Sequence, residues 1–114
     1  MKKIDKLLEE ITQRLKEIDP YKVVVFGSVT KQNNDEDSDI DLLVILNSDK
    51  ISQNYDEKME KKLLVRNAIW DLSKQIPIDL LVYTRKEFEI IMNNKNSFFI
   101  ELEKTGKIIY EKAG

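Results

Sequence analysis

The sequence predicts a small α/β domain of the α+β kind, with a mixed sheet of about four strands flanked by helices. Three observations carry that expectation. Short β-branched runs, Val23-Val24-Val25-Phe26, Ile40–Leu46 and Ile78–Tyr83, are separated by longer segments whose apolar residues recur at helical spacing. The 114 residues, 41% of them hydrophobic, suffice for one core, so residues 1–114 are expected to form a single domain. The pentapeptide IDLLV occurs at Ile40–Val44 and again at Ile78–Val82, each time with an aspartate at the head of a strand-like run. Its flanks do not repeat, which excludes a solenoid.

Ile4, Leu7, Leu8, Ile11, Leu15 and Ile18 predict an amphipathic helix over residues 2–18, stopped by Pro20. The first strand follows at Val23–Phe26, and Gly27-Ser28 breaks it. The polar stretch VTKQNNDEDS reads as a loop with one helical turn at its start. Ile40–Leu46 is the second strand, and residues 47–54 form a polar connection. From Tyr55 to Gln75, Met59, Leu63, Leu64, Ile69, Trp70 and Leu72 describe one longer helix with Trp70 in the core. Pro77 opens the third strand. Thr84 and Glu87 fit a capping box for a helix presenting Phe88, Ile91 and Met92 inward. Asn93–Asn96 interrupts it, Phe98–Lys104 forms a last helix, and Gly106 turns into a terminal strand at Lys107–Tyr110.

Composition narrows the chemistry. The chain has no cysteine and no histidine, so a Cys/His zinc site, a Ser-His-Asp triad and an imidazole base are all impossible within it. Lys+Arg at 19 against Asp+Glu at 21 leaves a formal charge of −2, which gives no support for non-specific nucleic-acid binding. No apolar run approaches the roughly 20 residues of a membrane span. The N-terminus carries acids at helical spacing instead of a secretory signal, so the expected compartment is the cytoplasm.

Burying an aspartate at a strand head costs several kcal/mol, of order 3–5, unless something compensates it. Asp39 and Asp41 lie two apart on a predicted strand, so both leave one face, with Cα atoms roughly 6–7 Å apart. If the two IDLLV strands are adjacent and in register, Asp79 lies beside Asp41. Such a trio calls for a hard cation, Mg²⁺ or Mn²⁺. Gly27-Ser28 follows a strand directly: the glycine admits a ligand close to the backbone, and Ser28 offers a hydroxyl. An anion cradle beside a metal triad is the equipment for a nucleoside triphosphate.

Phe26-Gly27-Ser28, followed twelve positions after Gly27 by Asp39-Ile40-Asp41 and later by Asp79, resembles the polymerase-β-like nucleotidyltransferases, above all their minimal MNT type. The resemblance implies a nucleotidyltransferase-like fold, metal bound by Asp39, Asp41 and Asp79, and a triphosphate held by Gly27 and Ser28. It implies AMP transfer from ATP to a hydroxyl, tyrosine included, on a small helical HEPN-type partner, as antitoxin to a toxin. That arrangement includes a homo- or hetero-oligomer. Family members often follow Gly-Ser with an arginine-rich, glycine-containing stretch. Here Lys31 is the one basic residue of Val29–Asn34, either a phosphate contact or ordinary surface charge. A chain of this length leaves no room for an acceptor-binding domain, so that surface is expected on another polypeptide.

Two rival readings belong to other classes. One is a module that neutralises a partner by docking alone. The other is a phospho-acceptor receiver domain, disfavoured because such domains carry their acids at the carboxyl ends of parallel strands. Here the aspartates come first.

Overall fold

The computed structural model describes residues 3–27 and 39–112. Its elements are α1 (Lys3–Lys16), β1 (Pro20–Phe26), β2 (Ile40–Leu46), α2 (Tyr55–Ala68), α3 (Trp70–Ser73), β3 (Ile78–Thr84), α4 (Arg85–Asn93), α5 (Ser97–Thr105) and β4 (Lys107–Glu111). The four strands form one mixed sheet in the order β3-β2-β1-β4. β1 runs antiparallel to both β2 and β4, while β2 and β3 are parallel. This mixed α+β architecture is the predicted one, and its antiparallel pairs remove the all-parallel receiver layout.

Alternation along the strands builds two layers. Val23, Val25, Ile40, Leu42 and Val44 face α1 and the α2–α3 segment, joining Leu7, Ile11, Leu15, Val65, Ile69 and Leu72 in the larger core. Val24, Leu43 and Ile45 face the other way, against Phe99 and Leu102 of α5, with Phe88 and Ile91 of α4 packed alongside. α1 buries Leu7, Leu8, Ile11 and Leu15, as its periodicity requires. Asp19 then adopts a positive φ of 53°, an αL turn that reverses the chain into Pro20. Proline is tolerated there because it is the first residue of its strand.

The segment 55–75 departs from expectation. It is not one helix: α2 ends at Ala68, Ile69 leaves helical geometry (φ −119°, ψ 19°), and the short α3 follows. Val65, Ile69 and Leu72 supply the inward face, at i, i+4 and i+7. Leu63 (45%), Leu64 (49%) and Trp70 (50%) are therefore left substantially in solvent. Trp70 is not core. It lies between two cations, Arg66 5.8 Å and Lys74 5.6 Å from its ring centroid.

The capping box forms as predicted. Thr84 Oγ1 accepts from the Glu87 N–H at 3.1 Å, and Glu87 Oε1 accepts from the Thr84 N–H at 2.9 Å. α5 starts one residue earlier than expected because Asn96 caps it, accepting from the Phe99 N–H.

Candidate active site

β2 and β3 pair in parallel with Ile40 opposite Ile78 and Asp41 opposite Asp79, so the two IDLLV copies align letter for letter. The register is set by burial: slipping one strand by a residue would swap its core-facing and opposite-facing side chains. Asp41 shares the strand face of Leu43 and Ile45, the side covered further along by α4 and α5. Ile40 and Leu42 anchor the opposite face in the main core. Asp41 is half-buried, whereas Asp39 and Asp79 are exposed.

This environment pushes the Asp41 carboxyl above its ordinary range. Burial is the main cause, followed by the negative charge of Asp79, a hydrogen bond with the Asp79 side chain, and the more distant charge of Asp39. Asp41 and Asp79 are thus brought together, and Asp39 is electrostatically within their field. Among the described residues, no group of three or more acidic side chains is arranged to hold a metal ion. The donor chemistry nevertheless fits a divalent cation. The Asp41 carboxyl lies in the field of two further carboxylates, Asp79 and Asp39, and a hard cation would offset their charge.

Across the sheet, Phe26 of β1 is the register partner of Asp41, which places Gly27 against the Asp41 carboxylate. Gly27 has φ +82°, and a Cβ built on it would sit 2.2 Å from Asp41 Oδ2. Only glycine lets the bend approach the carboxylate this closely. Ser28 and Lys31 lie outside the described residues, as do Asp35, Glu36, Asp37 and Ser38.

Two aromatic residues mark the rim. Phe26 and Phe98 meet edge to face, ring centroids 6.2 Å apart. Phe98 remains 53% exposed at the start of α5. The helical spacing of 98–104 assigns Phe98 no role beyond the last helix. The available signal was the Phe98-Phe99 doublet, since adjacent helical positions cannot both point into one core.

Tyr21 and Tyr55 are both away from the acidic pair. Tyr21 lies near the opposite end of β1 from Phe26, 5.7 Å beneath the Arg85 guanidinium. Tyr55 lines a cavity of about 380 Å³ with Ile51, Tyr83, Glu87 and Ile90. That cavity meets β3 at Val82 and Tyr83, the far end from Asp79, and is not the carboxylate site.

Residues 4–98 match the nucleotidyltransferase domain family. The chain belongs to that family. A crystal structure from Sulfolobus solfataricus described as a nucleotidyltransferase superposes with a TM-score of 0.51 at 16% identity, covering 94% of this chain and 82% of that one. That likeness concerns the fold. No curated protein matches the sequence. Membership in the nucleotidyltransferase family supports nucleotidyl transfer in general. Among the described residues, no helix is long and apolar enough to cross a membrane.

Proposed function

We propose that this nucleotidyltransferase moves AMP from ATP onto a hydroxyl of a small helical HEPN-type partner protein, in the cytoplasm, as the antitoxin of a toxin–antitoxin pair. The observation that carries the reading is the in-register Asp41–Asp79 pair, with Gly27 against Asp41. Asp39, Asp41 and Asp79 would hold Mg²⁺ or Mn²⁺. When bound, the cation offsets phosphate charge and lowers the pKa of an acceptor hydroxyl.

The chain's own groups do the rest. The bend at Gly27, with Ser28, holds the triphosphate. Asp79 sits on the edge strand β3, exposed, where an incoming acceptor can reach it. It takes the acceptor proton as the hydroxyl oxygen bonds to the α-phosphorus in line. The bond to pyrophosphate breaks, and pyrophosphate leaves past Gly27. Asp41→Asn should abolish transfer of label from α-labelled ATP while leaving the circular dichroism spectrum unchanged. Wild-type transfer by that variant would remove Asp41 from the mechanism. The acceptor is tested by incubation with labelled ATP, Mg²⁺ and the adjacent gene's product, where an unlabelled neighbour counts against the HEPN partner.

A second reading, docking without catalysis, is favoured by the solvent-facing Leu63, Leu64 and Trp70 on the α2–α3 segment. Retention of partner inhibition in an Asp39→Ala/Asp41→Ala double variant would decide for it.

A further inference from the structure

Phe98 and Phe99 open α5 side by side, and the core uses only one of them. Phe99 is 8% exposed, packed with Leu43 and Ile45, and in edge-to-face contact with Tyr83 (5.6 Å) and Phe88 (6.1 Å). Phe98 turns outward, yet its ring is held from two sides. It stands edge to face against Phe99 at 5.1 Å (86°) and against Phe26 at 6.2 Å (81°). An aromatic side chain at half exposure, oriented by two others, is a costly way to cover a helix start that a polar residue would serve.

Its location explains it. Phe26 is the cross-strand partner of Asp41 and the residue before Gly27. Cβ atoms of directly opposite residues lie about 5 Å apart, so Phe98 stands one ring beyond the residue beside Asp41. The strand order β3-β2-β1-β4 then separates two sides of Asp41. Asp79 lies on the β3 side, while Gly27, Phe26 and Phe98 lie on the β1 side. A nucleotide whose triphosphate lies at Gly27 has the aromatic pair within reach on the β1 side, while the β3 side stays open for the acceptor.

We infer that the exposed ring of Phe98, propped by Phe26 and Phe99, is the surface on which the base of the bound nucleotide stacks. This rests on the nucleotide-transfer reading and adds a grip on the base, which the acidic pair and the glycine bend do not provide. Stacking uses the π-face that every base has, so the contact raises affinity without choosing among bases. Phe98 is a binding residue here, with no part in the bond changes.

Isothermal titration calorimetry with Mg²⁺ tests it, using ATP, GTP and inorganic tripolyphosphate as probes on wild type, Phe98→Ala, Phe98→Tyr and Phe98→Trp. Phe98→Ala should weaken ATP and GTP about tenfold each, the scale of one base–aromatic stack, and leave tripolyphosphate unchanged. Phe98→Tyr and Phe98→Trp should restore nucleotide binding, and the loss of nucleotide with tripolyphosphate unchanged is the split that a merely structural role for the ring would not give. Phe98→Ala within twofold of wild type for ATP overturns the inference, as does equal loss of tripolyphosphate or failure of the aromatic variants to rescue. The underlying reading fails separately. Wild type that binds neither ATP nor tripolyphosphate overturns the nucleotide site itself, and the stacking assignment with it.

Discussion

Gly27 and Asp41 constrain each other at the level of single atoms. With φ at +82° and a would-be Cβ 2.2 Å from Asp41 Oδ2, Gly27 cannot be replaced without moving the carboxylate or the bend. Gly27→Ala should therefore cost about 1–2 kcal/mol from backbone conformation alone, read as a lower urea midpoint. It should also reduce tripolyphosphate affinity, because the bend must shift. Asp41 itself is held against stability in the metal-free protein. Its folded-state pKa is raised above the ordinary value of 3.8, chiefly by burial and then by Asp79. The folded state thus keeps its proton longer than the unfolded chain does. The penalty is absent below 3.8, grows as pH rises past it, and is complete once pH exceeds the elevated folded pKa. Asp41→Asn should leave stability near wild type at pH 3. Near neutrality, without metal, it should stabilise by about 0.5–2 kcal/mol, the size of a typical stabilising substitution. Parallel thermal melts of both proteins across pH 3–7 measure this, and a gap that does not widen with pH would reject it.

At the scale of elements, the connection after β2 is fixed by one carboxylate. Glu87 Oε2 accepts from the Ser52 N–H at 2.7 Å and from Lys61 Nζ at 3.3 Å, while its Oε1 closes the α4 cap on Thr84. Thr84 Oγ1 in turn donates to the Lys50 carbonyl. Burial alone would raise the Glu87 pKa, but the N–H groups of Ser52 and Thr84, the Ser52 hydroxyl and the Lys61 charge outweigh it and hold it below 4.5. A depressed carboxyl stabilises the fold above its unfolded pKa, and that contribution fades as pH falls from 4.5 through the lower folded value. Glu87→Ala strips the cap and strands Lys61, so a loss of roughly 2–4 kcal/mol is expected at pH 7. The difference from wild type should shrink in melts at pH 3. The capping box was legible in the sequence because Thr84 and Glu87 are local partners three positions apart. The long-range contacts of Glu87 to Ser52 and Lys61 were not legible, since nothing local encodes them. The same limit explains the α2–α3 segment. Its apolar residues lie on more than one side, and only contact with α1 and the sheet decided that Val65, Ile69 and Leu72 face inward while Leu63 and Trp70 do not.

For the whole molecule, placement of the site follows from the identity of two strands. Because both run ILe-Asp-Leu-Leu-Val and pair in parallel without slip, their aspartates must come level. Repetition in the sequence became proximity in space, because the adjacency and register on which the pairing of Asp41 with Asp79 depended are both present. The third contributor, Gly27, needed the antiparallel pairing of β1 on the other side of β2, set by Phe26 opposite Asp41. The fold thus draws an unfavourable pair of acids together at one end of its sheet and leaves their compensation to a ligand. That arrangement links ligand binding to global stability. A cation that binds the folded site and not the unfolded chain stabilises by about 2.7 kcal/mol at a hundred times its Kd. For a chain of this size, each kcal/mol raises Tm by roughly 4–8 °C. Adding Mg²⁺ with ATP at a hundred times Kd should raise the wild-type Tm by about 10–20 °C on the same arithmetic. Chelation should return it to the metal-free value. Asp41→Asn and Asp79→Asn should begin from a higher metal-free Tm and respond to Mg²⁺ far less, so the curves of wild type and variants cross as metal is titrated. Curves that run parallel would mean that the acidic pair is not where the cation binds.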